Sequence, residues 1–225
     1  MEQSGNRRWS AWAALALLVP APTIGILAAG YWSGGVGQLI WAASKVWLIA
    51  LPVAWYLWIE GGRISFSPLR TRGGVAAGNL TGIGILIAVA AGYALVGRHL
   101  IDAPAMRTQL DEVGLGDPRM YLAATLYWIF VNSVIEEYVW RWFVYRQCER
   151  LMPTGVAVAI SAAAFTLHHV FALAVYFDVL IVVVGSAGVF AGGVIWSWLY
   201  ARYGSIWPAW ISHAWADVAV FGVGA

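Results

Sequence analysis

The sequence predicts an all-α membrane protein, a polytopic helical bundle of about seven transmembrane helices, with eight as the alternative count. Of its 225 residues, 61% are hydrophobic and only 11% are charged, whereas a soluble domain carries about 25% charged residues. Apolar runs of about 20 residues, the length that crosses the hydrocarbon core of a bilayer, recur along the chain. No alternating strand pattern appears, so the backbone polar groups must find their partners within helices.

Seven apolar segments account for most of the chain. They lie at residues 9–30, 37–59, 74–97, 120–144, 154–175, 177–200 and 205–223. The first segment follows two arginines but is longer than the apolar part of a secretory signal, so we predict a retained helix. The boundary between the fifth and sixth segments is weak, because Asp178 is its only polar marker. The polar loop 98–119 is predicted to be a connector.

The arginines in the short loops predict the orientation of the chain. One side of the seven-helix arrangement carries Arg7, Arg8, Arg63, Arg70, Arg72, Arg146, Arg150 and Arg202. The other side carries Arg98, Arg107 and Arg119 among Asp102, Asp111, Glu112 and Asp117. Because short cytoplasmic loops carry the excess of positive residues, the first side and the N-terminus are predicted to be cytoplasmic.

Composition also limits the partners of the chain. A single cysteine, Cys148, excludes an internal disulfide and a cysteine-cluster metal site. The net charge of +2 is too small to suggest binding to nucleic acid, so the lipid bilayer is the expected surrounding. Lys45 is predicted to extend its ammonium group to the membrane interface. The sequence predicts no oligomeric state, because lipid-facing and partner-facing apolar surfaces look alike.

Charged residues interrupt the fourth apolar segment, in the stretch "VNSVIEEYVWRWF" at residues 131–143. A charge at the centre of a membrane helix costs at least ~2.5 kcal/mol, so such residues usually face protein or trapped water and serve a function. Glu137 and Arg141 are four residues apart and are predicted to form an ion pair, which is either structural or catalytic. Glu136 has no obvious partner on its own helix, which suits a general base.

Two further segments carry histidines. His168 and His169 are adjacent in the fifth segment, and adjacent helical residues diverge by about 100°, so only one is expected to face a given site. We assign His168 to packing. In the seventh segment Asp217 follows His213 by one turn and is predicted to accept a hydrogen bond that fixes the imidazole tautomer. Carboxylates and histidines on three separate apolar helices indicate a functional site rather than packing alone.

Three motifs connect these residues to a known family. They are Glu136-Glu137-x-x-x-Arg141, Phe165-x-x-x-His169 and His213-x-x-x-Asp217. The run "YGSIWPAWISHA" at residues 203–214 resembles the stretch that leads into the family's last motif. Together the motifs resemble the CPBP family of intramembrane endopeptidases, also called the Abi or CAAX-protease family. The resemblance covers roughly residues 120–223, which would be the catalytic core of a single integral membrane domain spanning residues 1–225.

The resemblance implies a glutamic protease that acts inside a membrane, which we expect to be a prokaryotic plasma (inner) membrane. Glu136 would activate a water molecule with help from His169, in a site open to the cytoplasmic side. His213 and Asp217 would stabilise the oxyanion, while Arg141 would hold Glu137 in place. Phe165 would be a supporting residue. The substrate would be a membrane-anchored or lipidated protein or peptide.

The sequence leaves open the role of Asp217 and the presence of a metal cofactor. The family more often has Asn at the position of Asp217, and an ionised aspartate would repel an oxyanion, so Asp217 is either protonated or only orients His213. No cofactor is expected, because the His-Glu-x-x-His motif of many zinc proteases is absent. The alternative is a zinc ion bound by Glu136, His169 and His213.

The predicted depths of the site residues disagree. At 1.5 Å per residue, Glu136 lies about 12–15 Å from the cytoplasmic end of its segment, whereas His169 lies roughly 20 Å or more from the start of its own. Either residues 146–156 run partly along the interface, or one of the two helices is tilted or has different ends.

Two other functions remain open from the sequence. Intramembrane glutamate and histidine residues also serve proton relays, so a proton-coupled transporter is one alternative. A non-catalytic bacteriocin self-immunity or scaffold protein, in which the motifs serve only packing, is the other.

Overall fold

The computed structural model describes residues 2–32, 34–63, 67–69 and 71–223, and the side chains of residues 2–7 and of residue 31 also lie outside the description. Two arginines used above for the orientation, Arg70 and the side chain of Arg7, therefore fall outside it. The predicted all-α class is confirmed: helices make up 87% of the structure, and its described residues contain no strand.

Five helices form the N-terminal half. They are α1 (Glu2–Leu18), α2 (Pro20–Tyr31), α3 (Gly35–Ala54, continued by Trp55–Ile59), α4 (Gly74–Gly92, continued by Tyr93–Gly97 and Arg98–Leu100) and α5 (Ala103–Glu112). Helices α1 and α2 meet at Pro20, whose missing N–H suits the first turn of a helix. Helix α5 lies within the predicted connector, and the Asp102 carboxylate caps it by accepting a hydrogen bond from the Ala105 N–H.

Four helices form the C-terminal half, which carries the three motifs. They are α6 (residues 118–149), α7 (Thr154–Tyr176), α8 (Val179–Tyr203) and α9 (Ile206–Val223). The weak boundary at Asp178 is confirmed as the junction of α7 and α8, where Phe177 and Asp178 adopt extended backbone angles.

Seven helical segments of the described chain match the seven predicted spans. Five of them are long and apolar enough to cross a membrane: Arg8–Gly30, Gly35–Ile59, Gly74–Leu100, Thr154–Tyr176 and Val179–Tyr203. The other two are α6 and α9, which carry the charged and polar site residues. The predicted polytopic bundle is therefore confirmed.

Helix α6 explains the disagreement in depth. It continues to Glu149, five residues beyond the predicted end at 144. At 1.5 Å per residue, Glu136 lies about 20 Å from this end of α6, and His169 lies about 22 Å from the start of α7. The two residues are therefore at matching depths, and the error was in the predicted end of the helix.

Two wide π-helical stretches, Trp128–Asn132 and Tyr138–Tyr145, flank the short α-helical segment Ser133–Glu137 within α6. The Ser133 N–H bonds to the carbonyl of Trp128, five residues earlier rather than four. Each such turn rotates the following side chains away from a regular 3.6-residue register, and π turns are frequent at functional sites. The two glutamates therefore sit on a short regular segment between two stretches that depart from this geometry.

A glycine stripe packs α4 directly against α9. Gly74, Gly78 and Gly82 are buried and spaced four residues apart, the small-xxx-small pattern that lets membrane helices approach closely. A Cβ atom at Gly78 would lie 2.5 Å from the Pro208 carbonyl oxygen. This close approach holds in place the helix that carries His213.

Polar contacts join the same pair of helices. The Trp215 indole N–H donates to the Asn79 side-chain oxygen at 3.0 Å, and the Thr81 hydroxyl lies 3.0 Å from the Ser212 hydroxyl. Asn79 is thus an interhelical hydrogen-bonding residue. At the end of α6, the Arg150 guanidinium donates to the Glu60 carboxylate, with 2.6 Å between Nη2 and Oε2. This ion pair connects the end of α3 to the end of α6.

We expect Gly78→Ala to destabilise the protein by about 1–3 kcal/mol, the usual effect of overpacking, because the new methyl group would meet the backbone of α9. Gly84→Ala is the matched control, since a Cβ atom there meets nothing within 4 Å. Both variants are heated in detergent, and size-exclusion chromatography measures the fraction of folded protein that remains at each temperature. Equal melting temperatures for both variants would contradict the close packing.

Candidate active site

The motif residues converge from three helices. Helix α6 carries Glu136 and Glu137, α7 carries His169, and α9 carries His213. A cavity of about 310 Å³ opens beside Glu136. Its wall is formed by Pro22, Trp41, Ala42, Lys45, Leu48, Ile49, Tyr127, Trp128, Asn132, Ile135, Glu136, Val139, Trp140 and His168. Mostly apolar walls with a few polar groups are typical of small-molecule and peptide sites.

Glu136 is the carboxylate that reaches this cavity. Its side chain is 18% exposed, and its Oε2 lies 3.6 Å from the Nε2 of His213. The prediction that Glu136 has no partner on its own helix is wrong, because the Asn132 amide donates to its Oε1 at 2.9 Å. Asn132 lies one helical turn earlier, so the bond fixes the orientation of the carboxylate and leaves Oε2 directed towards His213.

Glu137 is fully buried between two cationic or potentially cationic groups. Its Oε2 lies 3.3 Å from the Nε of Arg141, and its Oε1 lies 2.9 Å from the Nδ1 of His213. The predicted Glu137–Arg141 pair is therefore present. A carboxylate acts as an acceptor at His213, so Nδ1 carries the proton and Nε2 is the ring nitrogen that faces Glu136.

Aromatic rings enclose the Arg141 guanidinium. Its central carbon lies 4.6 Å from the centre of the Phe165 ring and 5.2 Å from that of Trp196. Trp196 also stacks on the His213 ring, with centroids 3.9 Å apart, and donates its indole N–H to Ser212 at 3.1 Å. Sequence analysis missed Trp196, because one tryptophan in the uniformly apolar helix α8 gives no signal that distinguishes it from a packing residue.

Asp217 lies near His213, but it does not fix the imidazole tautomer as predicted. Its Oδ1 is 3.7 Å from His213 Nε2, beyond ordinary hydrogen-bond distance, while Glu137 holds the opposite nitrogen, Nδ1. Two carboxylates, those of Glu136 and Asp217, therefore face the same ring nitrogen.

His168 and His169 both lie beside Glu136. One ligand atom of each histidine and one Glu136 oxygen fall within 4.8 Å of one another, so the prediction that only one of the pair faces the site is wrong. The two side chains approach the same carboxylate although the Cα–Cβ bonds of adjacent helical residues diverge. His168 stacks on Trp140 with ring centroids 5.2 Å apart, so it also has the packing role predicted for it.

The His169 tautomer follows from a backbone contact. Its Nδ1 lies 3.0 Å from the Phe165 carbonyl oxygen. Because a carbonyl only accepts, Nδ1 must donate, and Nε2 remains the free ring nitrogen. His169 thus has a fixed orientation and one nitrogen with which to bind a water molecule or a metal ion.

The donor atoms around Glu136 fit a metal ion by type. Glu136, His168 and His169 offer one carboxylate oxygen and two imidazole nitrogens, a set that catalytic zinc sites use. This group differs from the predicted alternative zinc site, since His168 takes the place of His213. Two features oppose a metal: Asn132 already binds Glu136, and the side chain of Lys45 lines the same cavity, where its ammonium repels cations.

The structure places Lys45 in the wall of this cavity, and the extension of its ammonium group to the membrane interface stays a prediction. It is the eleventh residue of the Gly35–Ile59 helix, about 15 Å from one end and about 21 Å from the other. The sequence did contain the signal, because an intramembrane charge indicates function.

Fold and site together define the class: a polytopic helical membrane protein with carboxylates and imidazoles clustered where three helices meet, beside a cavity that Glu136 and His168 line. Comparison with protein families is more specific. Residues 118–219 match the family described as type II CAAX prenyl endopeptidase Rce1-like. This match confirms the resemblance seen in the three motifs. The matched range begins with α6 and includes every motif residue.

No curated protein and no solved structure matched the chain.

We expect Glu137→Gln to destabilise the protein by about 3–5 kcal/mol, because it leaves the buried Arg141 guanidinium without a countercharge. The double variant Glu137→Gln/Arg141→Met should recover much of this loss, since it removes both charges. Unfolding in detergent at matched protein concentration measures both effects. Glu136→Gln is the control, because its side chain is partly exposed and the Asn132 bond survives as a neutral one. Equal stability of the two single variants would contradict a structural role for the pair.

Proposed function

We propose that this chain is an intramembrane endopeptidase that hydrolyses a peptide bond in a membrane-anchored or lipidated protein. The supporting observation is the position of Glu136, which reaches the cavity and faces His213, with His169 beside it. The three residues come from three different helices. The family match of residues 118–219 supports the same class of reaction.

We propose Glu136 as the general base. It would take a proton from a water molecule held between its carboxylate and the Nε2 of His169, whose other nitrogen is bound to the Phe165 carbonyl. The hydroxide formed would attack the carbonyl carbon of the peptide bond. When the carbon–nitrogen bond breaks, Glu136 would return the proton to the departing amine. General acid–base catalysis of this kind contributes about 10²- to 10⁴-fold to a rate.

His213 would stabilise the oxyanion that forms during this attack. The bond to Glu137 fixes Nδ1, so Nε2–H would point to the place where negative charge develops. The stacking of Trp196 on the ring keeps the imidazole from rotating. Because such a donor is already oriented before the reaction, it needs no reorganisation when the charge appears.

Asp217 would act through His213 and not on the oxyanion itself. Its distance of 3.7 Å from Nε2 suits an electrostatic effect that keeps the imidazole protonated. An ionised carboxylate beside an oxyanion would raise the energy of the transition state, so the substrate carbonyl would approach His213 from the side away from Asp217.

We propose that the reaction uses no metal ion. The support is that Asn132 already binds Glu136 and that Lys45 adds positive charge to the cavity. If zinc were bound by Glu136, His168 and His169, it would supply Lewis-acid activation of water.

For the location of the protein, we propose a prokaryotic plasma membrane with the N-terminus in the cytoplasm. The arginines of the loops that join α3 to α4 and α6 to α7 support this orientation. The substrate would then approach from the cytoplasmic side.

We expect Glu136→Gln to lower peptide cleavage by at least about 10²-fold, because glutamine cannot accept the proton of water. The measurement compares cells that contain equal membrane levels of wild type or variant. Mass spectrometry maps new peptide termini in their membrane proteins. Termini lost in the variant identify substrates, and purified protein in liposomes then tests direct cleavage.

Glu112→Gln, on the exposed helix α5, is the matched control for this comparison and should give the wild-type termini. Unchanged termini in Glu136→Gln cells, together with full rescue of a deletion phenotype by that variant, would reject the protease function.

We expect cleavage by the purified protein to survive treatment with a membrane-permeant metal chelator, and we expect less than one zinc ion per chain by elemental analysis. The reason is that the proposed water activation depends only on carboxylate and imidazole groups. Loss of cleavage after chelation, restored by added zinc but not by magnesium, would reject the metal-free mechanism and support the alternative site.

A further inference from the structure

Lys45 is a charged residue that the proposed reaction does not use. It lies near the middle of the Gly35–Ile59 helix, in the stretch expected to cross the hydrocarbon region. No carboxylate oxygen lies within 4.0 Å of its ammonium among the residues that the structure describes. Its one specific contact is with the face of the Trp41 ring, 5.6 Å from the ring centre. Such a charge inside a membrane is unfavourable unless it serves a function.

The position of Lys45 connects it to the site. Lys45 and Glu136 line the same cavity of about 310 Å³ but do not form an ion pair, so the cavity presents an ammonium and a carboxylate at separate places. The volume is at the small end of the range for ligand pockets. A short piece of peptide fits such a space. Its carbonyl group would lie at Glu136 and a second group at Lys45.

The other strong cation of the site cannot take this role. The Arg141 guanidinium is fully buried, and it is enclosed by Phe165, Trp196 and Glu137. It does not line the cavity. Among the described lining residues, Lys45 therefore supplies the one permanent positive charge that a bound molecule can contact.

We propose that Lys45 is a specificity-determining residue that binds a carboxylate of the substrate, close to the bond that is cut. This inference rests on the proposed protease function and extends it to the substrate class: peptides with a carboxylate within a few residues of the scissile bond. The carboxylate belongs either to the C-terminus of the peptide or to an acidic side chain. Pairing of this carboxylate with Lys45 would orient the peptide bond against Glu136.

The test measures binding separately from cleavage. Protein carrying Glu136→Gln, in vesicles of phosphatidylcholine, is titrated with three fluorescent prenylated peptides of the Cys-aliphatic-aliphatic-X form. The first ends in a free acid, the second is its C-terminal amide, and the third is the amide with Glu as the last residue. The titrations are repeated with Lys45→Met, which keeps the length and apolar character of the stem, and with Lys45→Arg, which keeps the charge.

We expect the acid to bind at least about tenfold more tightly than the amide, and we expect Lys45→Met to abolish this preference. Lys45→Arg should retain part of it. If the third peptide binds as tightly as the acid, an acidic side chain serves as well as the C-terminus. Because Lys45→Met removes an unpaired charge from an apolar helix, it should fold at least as well as the wild type.

An unchanged preference in Lys45→Met, or equally weak binding of all three peptides, would overturn the inference. So would an effect of Lys45→Met that appears only in vesicles containing phosphatidylglycerol, since that result would assign Lys45 to a lipid phosphate. Failure of the proposed function has a different signature: protein with an intact Glu136 would bind the acid through Lys45 but leave the peptide uncut.

Discussion

The buried carboxylate of Glu137 is the group on which the site depends. It touches Arg141 on one side and His213 on the other, so it joins α6 to α9 and neutralises the guanidinium at the same time. Without it, Arg141 would be a fully buried cation, and His213 would lose the acceptor that fixes its ring. The adjacent Glu136 is left free to face the cavity, because Glu137 forms the ion pair with Arg141. Two consecutive glutamates thus have separate roles, one holding the bundle together and one exposed to the cavity.

The residues packed around Glu137 and Arg141 also help to fix the position of His213. Trp196 contacts both ends of the arrangement, stacking on His213 and facing Arg141. Its hydrogen bond to Ser212 ties it to α9, and Thr81 of α4 contacts the same hydroxyl. Since the glycine stripe brings α4 against α9, the geometry of His213 depends on close helix packing as well as on charge.

The sequence predicted the features that depend on length, hydropathy and regular spacing. The spans, the Glu137–Arg141 pair at four-residue spacing and the three motif helices all follow such local rules. The errors have a common physical origin, because they concern how helices turn and meet. The π-helical turns of α6 alter which faces its side chains occupy, and no periodicity shows them in advance. The contact of Glu137 with His213 joins residues 76 positions apart, and the cavity that contains Lys45 needs α3 beside α6. The end of α6 was misplaced because its last turn, which contains Arg146 and Glu149, looks like a loop by hydropathy.

The wall of the cavity is built from two separate parts of the chain. Glu136 and its histidines lie within residues 118–219, the range shared with the family, whereas Pro22, Trp41 and Lys45 come from α2 and α3 outside it. Substitutions in α2 and α3 would therefore change the shape of the pocket without replacing Glu136 or the histidines of α7. Part of the shape of the pocket is thus encoded separately from the cluster of Glu136 and its two neighbouring histidines.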